Sequence, residues 1–244
     1  MLNELLLLSG NDIPFPEARV TIHQPRIKEI AYIGEENFFI GCHFLMFDKN
    51  YLSDEDKSGL ETLSDFHIFM SVMNSSESTN HKTDAIMVLT LLFPEYNVEI
   101  KKDNILLQSE KFSSSINEKN FESFKSIINQ IFCLREEDAG EGSNPADPIA
   151  AKIAEKIRKG KAKKAKMKSN GEMPKINIFS KYISILSVGL KKDMNQLMNY
   201  TVYQLKDEFQ RYQLKENYDF YLKAKLAGAQ DLEEVDNWME DIHP

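Results

Sequence analysis

The residues that could carry chemistry are scattered along the chain. Five histidines (His23, His43, His67, His81, His243) and two cysteines (Cys42, Cys133) show no CxxC, no HxxxH and no clustered carboxylate loop. Those spacings are what make zinc and calcium sites recognisable. Cys42-His43 is the one adjacent pair of soft ligands, but neighbours on a helix or strand point in different directions, so packing is the better reading. Both cysteines sit among apolar residues, FFIGCHFL and IINQIFCL. A thiol there behaves as a small buried hydrophobe, and no structural disulfide is expected. GxSxG, the phosphate loop GxxxxGK and GxGxxG are absent, so the usual signatures of acyl transfer and of phosphate or dinucleotide binding are missing. Asp54 with Asp56, and Asp236 with Glu240, read as helix-end and surface charges rather than an acid/base dyad. The expectation is a non-enzymatic protein with no catalytic residue, no metal ligand and no cofactor.

Two other constellations remain. Between Lys152 and Lys168 eight lysines and Arg158 face a single acid, Glu155. The whole 244-residue chain carries a net charge of -8, so the rest of it is strongly acidic, and an acidic body repels phosphate over most of its surface. The candidate basic segment, Lys159, Lys161, Lys163, Lys164 and Lys166, has no aromatic on which bases could stack. A solvated linker helix explains it better than direct nucleic-acid binding, which stays the alternative. The second constellation is apolar. Ile149, Ile153 and Ile157 recur every four residues behind the helix start Asp147-Pro148. Tyr203, Phe209, Tyr212, Tyr218 and Tyr221 surround a C-terminal helix rather than lining one stripe, and Trp238 follows in the tail. These are the candidate partner-binding residues, because a small domain's own core would use fewer rings.

The elements that must position them follow from pattern and punctuation. Leu2 and Leu5 to Leu8 lack the basic start of a signal peptide and contain Glu4, so they read as an apolar segment that docks. No apolar run approaches the roughly 20 residues of a membrane span. Pro14 and Pro16 favour extended backbone, and Arg19 to His23 alternates as a short strand. A helix is expected from Pro25 to Gly34, with Ile27, Ile30 and Ile33 on one face. Phe-rich residues 35–47 should be buried, Ser53-Asp-Glu-Asp resembles a helix N-terminus, and further helices are expected over residues 64–73, 82–93 and 117–133. Residues 96–101 and 105–109 flank Lys102-Asp103-Asn104 as a hairpin.

The sharpest boundary is the acidic, small-residue run Glu136 to Pro145, which has almost nothing to bury and reads as a linker. After it and the basic segment come an amphipathic stretch over 176–189, a short helix around Met194 to Met198, and a long helix from Thr201 to Ala227-Gly228. The C-terminal Trp238, Met239 and Ile242 should pack back. The expected architecture is mainly α with a small β component: a mixed α+β N-terminal domain over 1–135, an acidic linker plus basic helix over 136–175, and an all-α C-terminal domain over 176–244.

The run YISILSVGLKKDMNQLMNYTVYQLKDEFQRYQLKENYDFYLKAKLAGA followed by DNWMEDIHP, with IHQPRIKEIAYIGEENFF and NPADPIAAKIAEKIRK upstream, resembles the tail assembly chaperones encoded by phages and prophages of low-GC Gram-positive bacteria. The resemblance implies a non-enzymatic role in the host bacterial cytoplasm. Such a protein coats the long, aggregation-prone tape measure protein until tail tube subunits polymerise around it. The implied partners are therefore the tape measure protein and, secondarily, the tail tube protein, with no membrane and with nucleic acid disfavoured. The rival expectations are a phage nucleic-acid-associated or host-interaction protein using the lysine segment, and a structural component of the virion.

Overall fold

Asn3 accepts a hydrogen bond from the Leu5 amide and Gly10 takes left-handed backbone (φ 68°), so the leucine run between them becomes α1 (Glu4–Ser9). The computed structural model of the chain describes residues 2–46, 62–75, 79–134, 177–229, 232 and 235–240. β1 (Ile13–Phe15) and β2 (Val20–Ile22) form an antiparallel pair across the turn Pro16–Ala18, with Ile13 opposite Ile22 and Phe15 opposite Val20. Strand alternation turns those four side chains into the core and leaves Pro14 and Thr21 outside.

α2 (Ile27–Ile33) ends at Gly34 (φ 87°), and α3 (Glu35–Leu45) starts beyond it. Its Phe38, Gly41, Cys42 and Leu45 are buried. α4 (Asp65–Asn74) begins at Ser64, whose hydroxyl accepts from the His67 amide, and α5 (Thr79–Leu92) packs closely on α3. The closeness depends on Gly41, because a Cβ there would lie 2.5 Å from the Asp84 carbonyl oxygen. β3 (Asn97–Ile100) and β4 (Ile105–Gln108) form the expected hairpin, with Lys101 donating to the Asn104 carbonyl at 2.9 Å. β5 (Ser113–Ile116) adds a third antiparallel strand. Its three serines carry no strand signal; the open edge of β4 supplies the pairing, and Ile116 opposite Ile105 fixes the register. α6 (Glu118–Phe132) is capped by Asn117 and buries Phe121, Phe124, Ile128 and Ile131. Its Lys125 is buried too, bonded to Asp65 and Glu122 at 2.9 Å each.

The C-terminal segment is helical: α7 (Ile178–Leu190), α8 (Met194–Met198) and α9 (Val202–Leu226). The chain is thus mainly α, with two small antiparallel sheets among the described residues, both in the N-terminal segment. The described residues of 1–134 and 177–244 build one compact unit that shares a hydrophobic core. Arg26 and Thr201 form a β-bridge, Ile27 donates to the Tyr200 carbonyl at 2.9 Å, and Phe179 donates to the Glu35 carboxylate at 2.7 Å. Lys206 reaches the Cys133 carbonyl at 3.1 Å, where α6 ends in left-handed backbone. These bonds satisfy helix termini of one segment with groups of the other.

Candidate functional site

Thr201 starts α9 with a capping box: its hydroxyl accepts from the Gln204 amide at 3.2 Å, and the Gln204 side chain accepts from the Thr201 amide at 2.9 Å. The Gln204 amide group also donates to the Leu8 carbonyl at 2.6 Å, which ties α1 to the base of α9. Val202, Tyr203, Leu205 and Phe209 are buried, and Phe209 stacks on Tyr182 with ring centroids 3.8 Å apart. Burying each such side chain contributes about 1.5–3 kcal/mol, so the first two turns anchor the helix firmly.

Beyond Phe209 no residue of α9 is buried. The helix has 25 residues, about 37 Å at the standard rise, and over half of that length runs past the core. Leu214, Tyr218 and Tyr221 are half-buried and Leu222 is exposed; their spacing places them on one face. Phe220 and Leu226, at 73% and 88% exposure, point into solvent. Lys225 covers the Tyr221 ring, 5.4 Å from its centroid.

At the base of this projecting half lies a groove of about 530 Å³, lined by Leu8, Leu190, Tyr200, Gln204, Tyr212 and Trp238 along with the charged Asp207, Glu208, Arg211 and Lys215. Tyr212 leans on Gly189, where a Cβ would lie 2.4 Å from its ring. At one side Lys192 pairs with Glu208, donates to the Tyr200 hydroxyl at 2.8 Å and lies over that ring. Burial works to lower the Lys192 pKa, but the hydrogen bonds and charges of Glu208 and Tyr200 outweigh it and hold the ammonium above its ordinary value. At the other side Arg211 donates to the carbonyls of Trp238 (2.7 Å) and Glu240 (2.6 Å). The groove therefore offers aromatic walls, a rim of mixed charge and a guanidinium that grips main-chain carbonyls. That equipment suits recognition of a peptide segment.

The structure sorts the candidates named from sequence. Tyr203 and Phe209 are core residues, only 6% and 7% exposed. Tyr212 and Trp238 both line the groove, while Tyr218 and Tyr221 lie further out along α9. Trp238 packs back half-buried, whereas Met239 is 72% exposed. Ile149, Ile153, Ile157, Lys159, Lys161, Lys163, Lys164, Lys166, the Ser53-Asp-Glu-Asp run and Ile242 lie outside the described residues. Sequence reasoning missed Arg211, Gln204, Lys192 and Glu208. The available signal was the set Asp207, Glu208, Arg211 and Lys215, charges spaced three, four, seven and eight apart on one face among the rings. Among the described residues no group of three or more His, Cys, Asp or Glu gathers where it could hold a metal ion, and no helix is long and apolar enough to cross a membrane.

Neither a curated protein nor a solved structure matches the chain. Residues 166–243 match a family model, a span that holds α7, α8, α9 and every groove residue except Leu8. The family is described as the YomV second domain, YomV being a Bacillus prophage protein, so the part of the chain that builds the groove is similar to a domain of a phage-type protein.

Proposed function

We propose that this is a non-enzymatic phage tail morphogenesis protein, a tail assembly chaperone that binds the tape measure protein in the host cytoplasm. The observation that carries the reading is the outer half of α9. A helix that leaves Phe220 and Leu226 in solvent and Leu214, Tyr218, Tyr221 and Leu222 only partly covered has apolar surface to spare for a partner. An amphipathic client helix laid along that face would cover it by the helix-in-groove mode. The similarity of residues 166–243 to a prophage protein's domain supports the phage setting, and the net charge of -8 would keep a complex with an apolar client dispersed.

The test is co-expression with the tape measure protein of the same tail module, then pull-down with nuclease present at about 50 and about 500 mM salt. Apolar recognition predicts that the client is retained at both. Loss of every partner at high salt, with nucleic acid recovered at low salt, would transfer the function to the lysine segment.

A further inference from the structure

Trp238 is the only tryptophan in the chain, and it forms one wall of the groove at the base of α9. It does so within a single turn of backbone: Glu240 donates to the Asn237 carbonyl at 2.9 Å, and the Asn237 side chain accepts from the Met239 amide at 3.1 Å. Arg211 takes the two carbonyls, Trp238 and Glu240, that this turn leaves pointing outward. A basic side chain on the free carbonyls of a final turn is one of the ways helix C-termini are capped. The tail thus presents what the last turn of an aromatic-bearing helix would present, and presents it to the groove.

We infer that the groove between Tyr200, Tyr212 and Arg211 is a docking site for the C-terminal turn of a partner helix carrying an aromatic residue, and that the chain's own Asn237–Glu240 turn closes one side of it in cis as a displaceable stand-in. The inference rests on the partner-binding reading and specifies its anchor point. Three features favour exchange. The tail is weakly held, with Val235 and Met239 exposed and Trp238 only half-buried. Ordering such a segment costs about what two hydrogen bonds and a half-buried indole return. The groove keeps about 530 Å³ of room beside Trp238, so a longer or bulkier segment fits where the tail does not fill. The groove also adjoins the outer face of α9, since two of its lining residues share a side of the helix with that face: Arg211 lies three and seven residues before Leu214 and Tyr218, and Lys215 three and seven before Tyr218 and Leu222. A partner helix can therefore end in the groove while its body covers Leu214, Tyr218 and Leu222.

The experiment uses the full chain and a fluorescein-labelled peptide of residues 229–244. The Trp238→Ala protein, whose tail has lost its anchor, should bind the peptide at least tenfold more tightly than wild type, whose own tail competes. Adding Arg211→Gln to Trp238→Ala should abolish that binding. Equal affinity for both proteins, or no binding by a Trp238→Ala protein whose circular dichroism and melting match wild type, overturns the inference. A second arm replaces Trp238 by fluorotryptophan and follows its fluorine resonance as the tape measure protein is added. The resonance should move to its solvent-exposed position, the one seen in Arg211→Gln. A client that binds without moving it overturns the inference and leaves the chaperone reading standing. Failure of the client to bind removes that reading, and the peptide arm then decides the docking site alone.

Discussion

Gly189 in α7 lies so close to Tyr212 in α9 that a Cβ on the glycine would sit 2.4 Å from the phenol oxygen. The neighbour is the free end of a half-buried side chain, which can swing aside. Alanine is also the better helix former by about 1 kcal/mol. Gly189→Ala should therefore leave stability within about 1 kcal/mol of wild type while displacing Tyr212 from the groove. Urea unfolding checks the first half, and a changed Trp238 emission maximum checks the second.

Gly41 makes the opposite case. Its virtual Cβ meets backbone, the Asp84 carbonyl at 2.5 Å, together with Val88 at 2.6 Å. Only separation of α3 from α5 can relieve that, so Gly41→Ala should cost about 3 kcal/mol or more despite the gain in helix propensity. A shift of the urea midpoint smaller than that seen for Gly189→Ala would contradict the close crossing.

Lys125 is buried between Asp65 and Glu122. Burial alone would lower its pKa, but the hydrogen bonds and charges of Glu122 and Asp65 outweigh it and hold the pKa above the ordinary value of 10.5. A raised folded-state pKa gives a contribution fully present below 10.5 and lost as pH climbs through the folded value. Lys125→Met removes the cation and leaves Asp65 poorly solvated, which should cost about 2–4 kcal/mol at neutral pH. The difference from wild type should hold constant from about pH 6 to 9 and shrink only in the alkaline range above the ordinary lysine pKa. Denaturant titrations across that range decide it.

The two thiols should be unreactive in the folded protein. Burial pushes the Cys133 thiol up to about 11, with Lys206 opposing and Asp207 reinforcing the rise, and burial pushes Cys42 higher still. Since the thiolate is the nucleophile, only about one Cys133 in a thousand is reactive at pH 8. Ellman's reagent should label neither cysteine quickly without denaturant, and half-buried Cys133 should react before buried Cys42. Fast labelling of Cys42 in native buffer would be inconsistent with this core.

Tyr218→Asp combined with Leu222→Asp tests the outer face of α9 without touching the core. Neither side chain is buried, so thermal unfolding should move by no more than about 1 kcal/mol equivalent. Client retention in the pull-down should fall at least about tenfold, the effect of burying charge in an apolar contact. Tyr203→Ala would be an uninformative substitute, because Tyr203 belongs to the core and its loss destabilises the fold.

Local structure was legible from the chain itself because its causes are local. Asn117, Ser64, Thr201 and Asp193 start helices through their own side chains. Gly34 ends one helix, and the alternation of Val98 and Ile100 against Leu107 and Ile105 sets a hairpin register. The mainly helical class with a minor β component follows from those signals. What no local signal could reveal is which apolar residues find a partner. Tyr203, Phe209, Tyr212, Tyr218 and Tyr221 have similar chemistry on one helix, yet only the first two enter the core. The difference arises from where α7 and Leu8 meet α9 and where that packing stops. The groove has the same origin: Leu8, Leu190, Arg211 and Trp238 are brought together from across the chain. The sequence by itself determined most of the elements, their caps and the acidic surplus of the protein, while β5 took its pairing from the open edge of β4. Only the tertiary structure decided the end of the core along α9 and the grip of Arg211 on the tail, because both depend on contacts between residues remote in sequence.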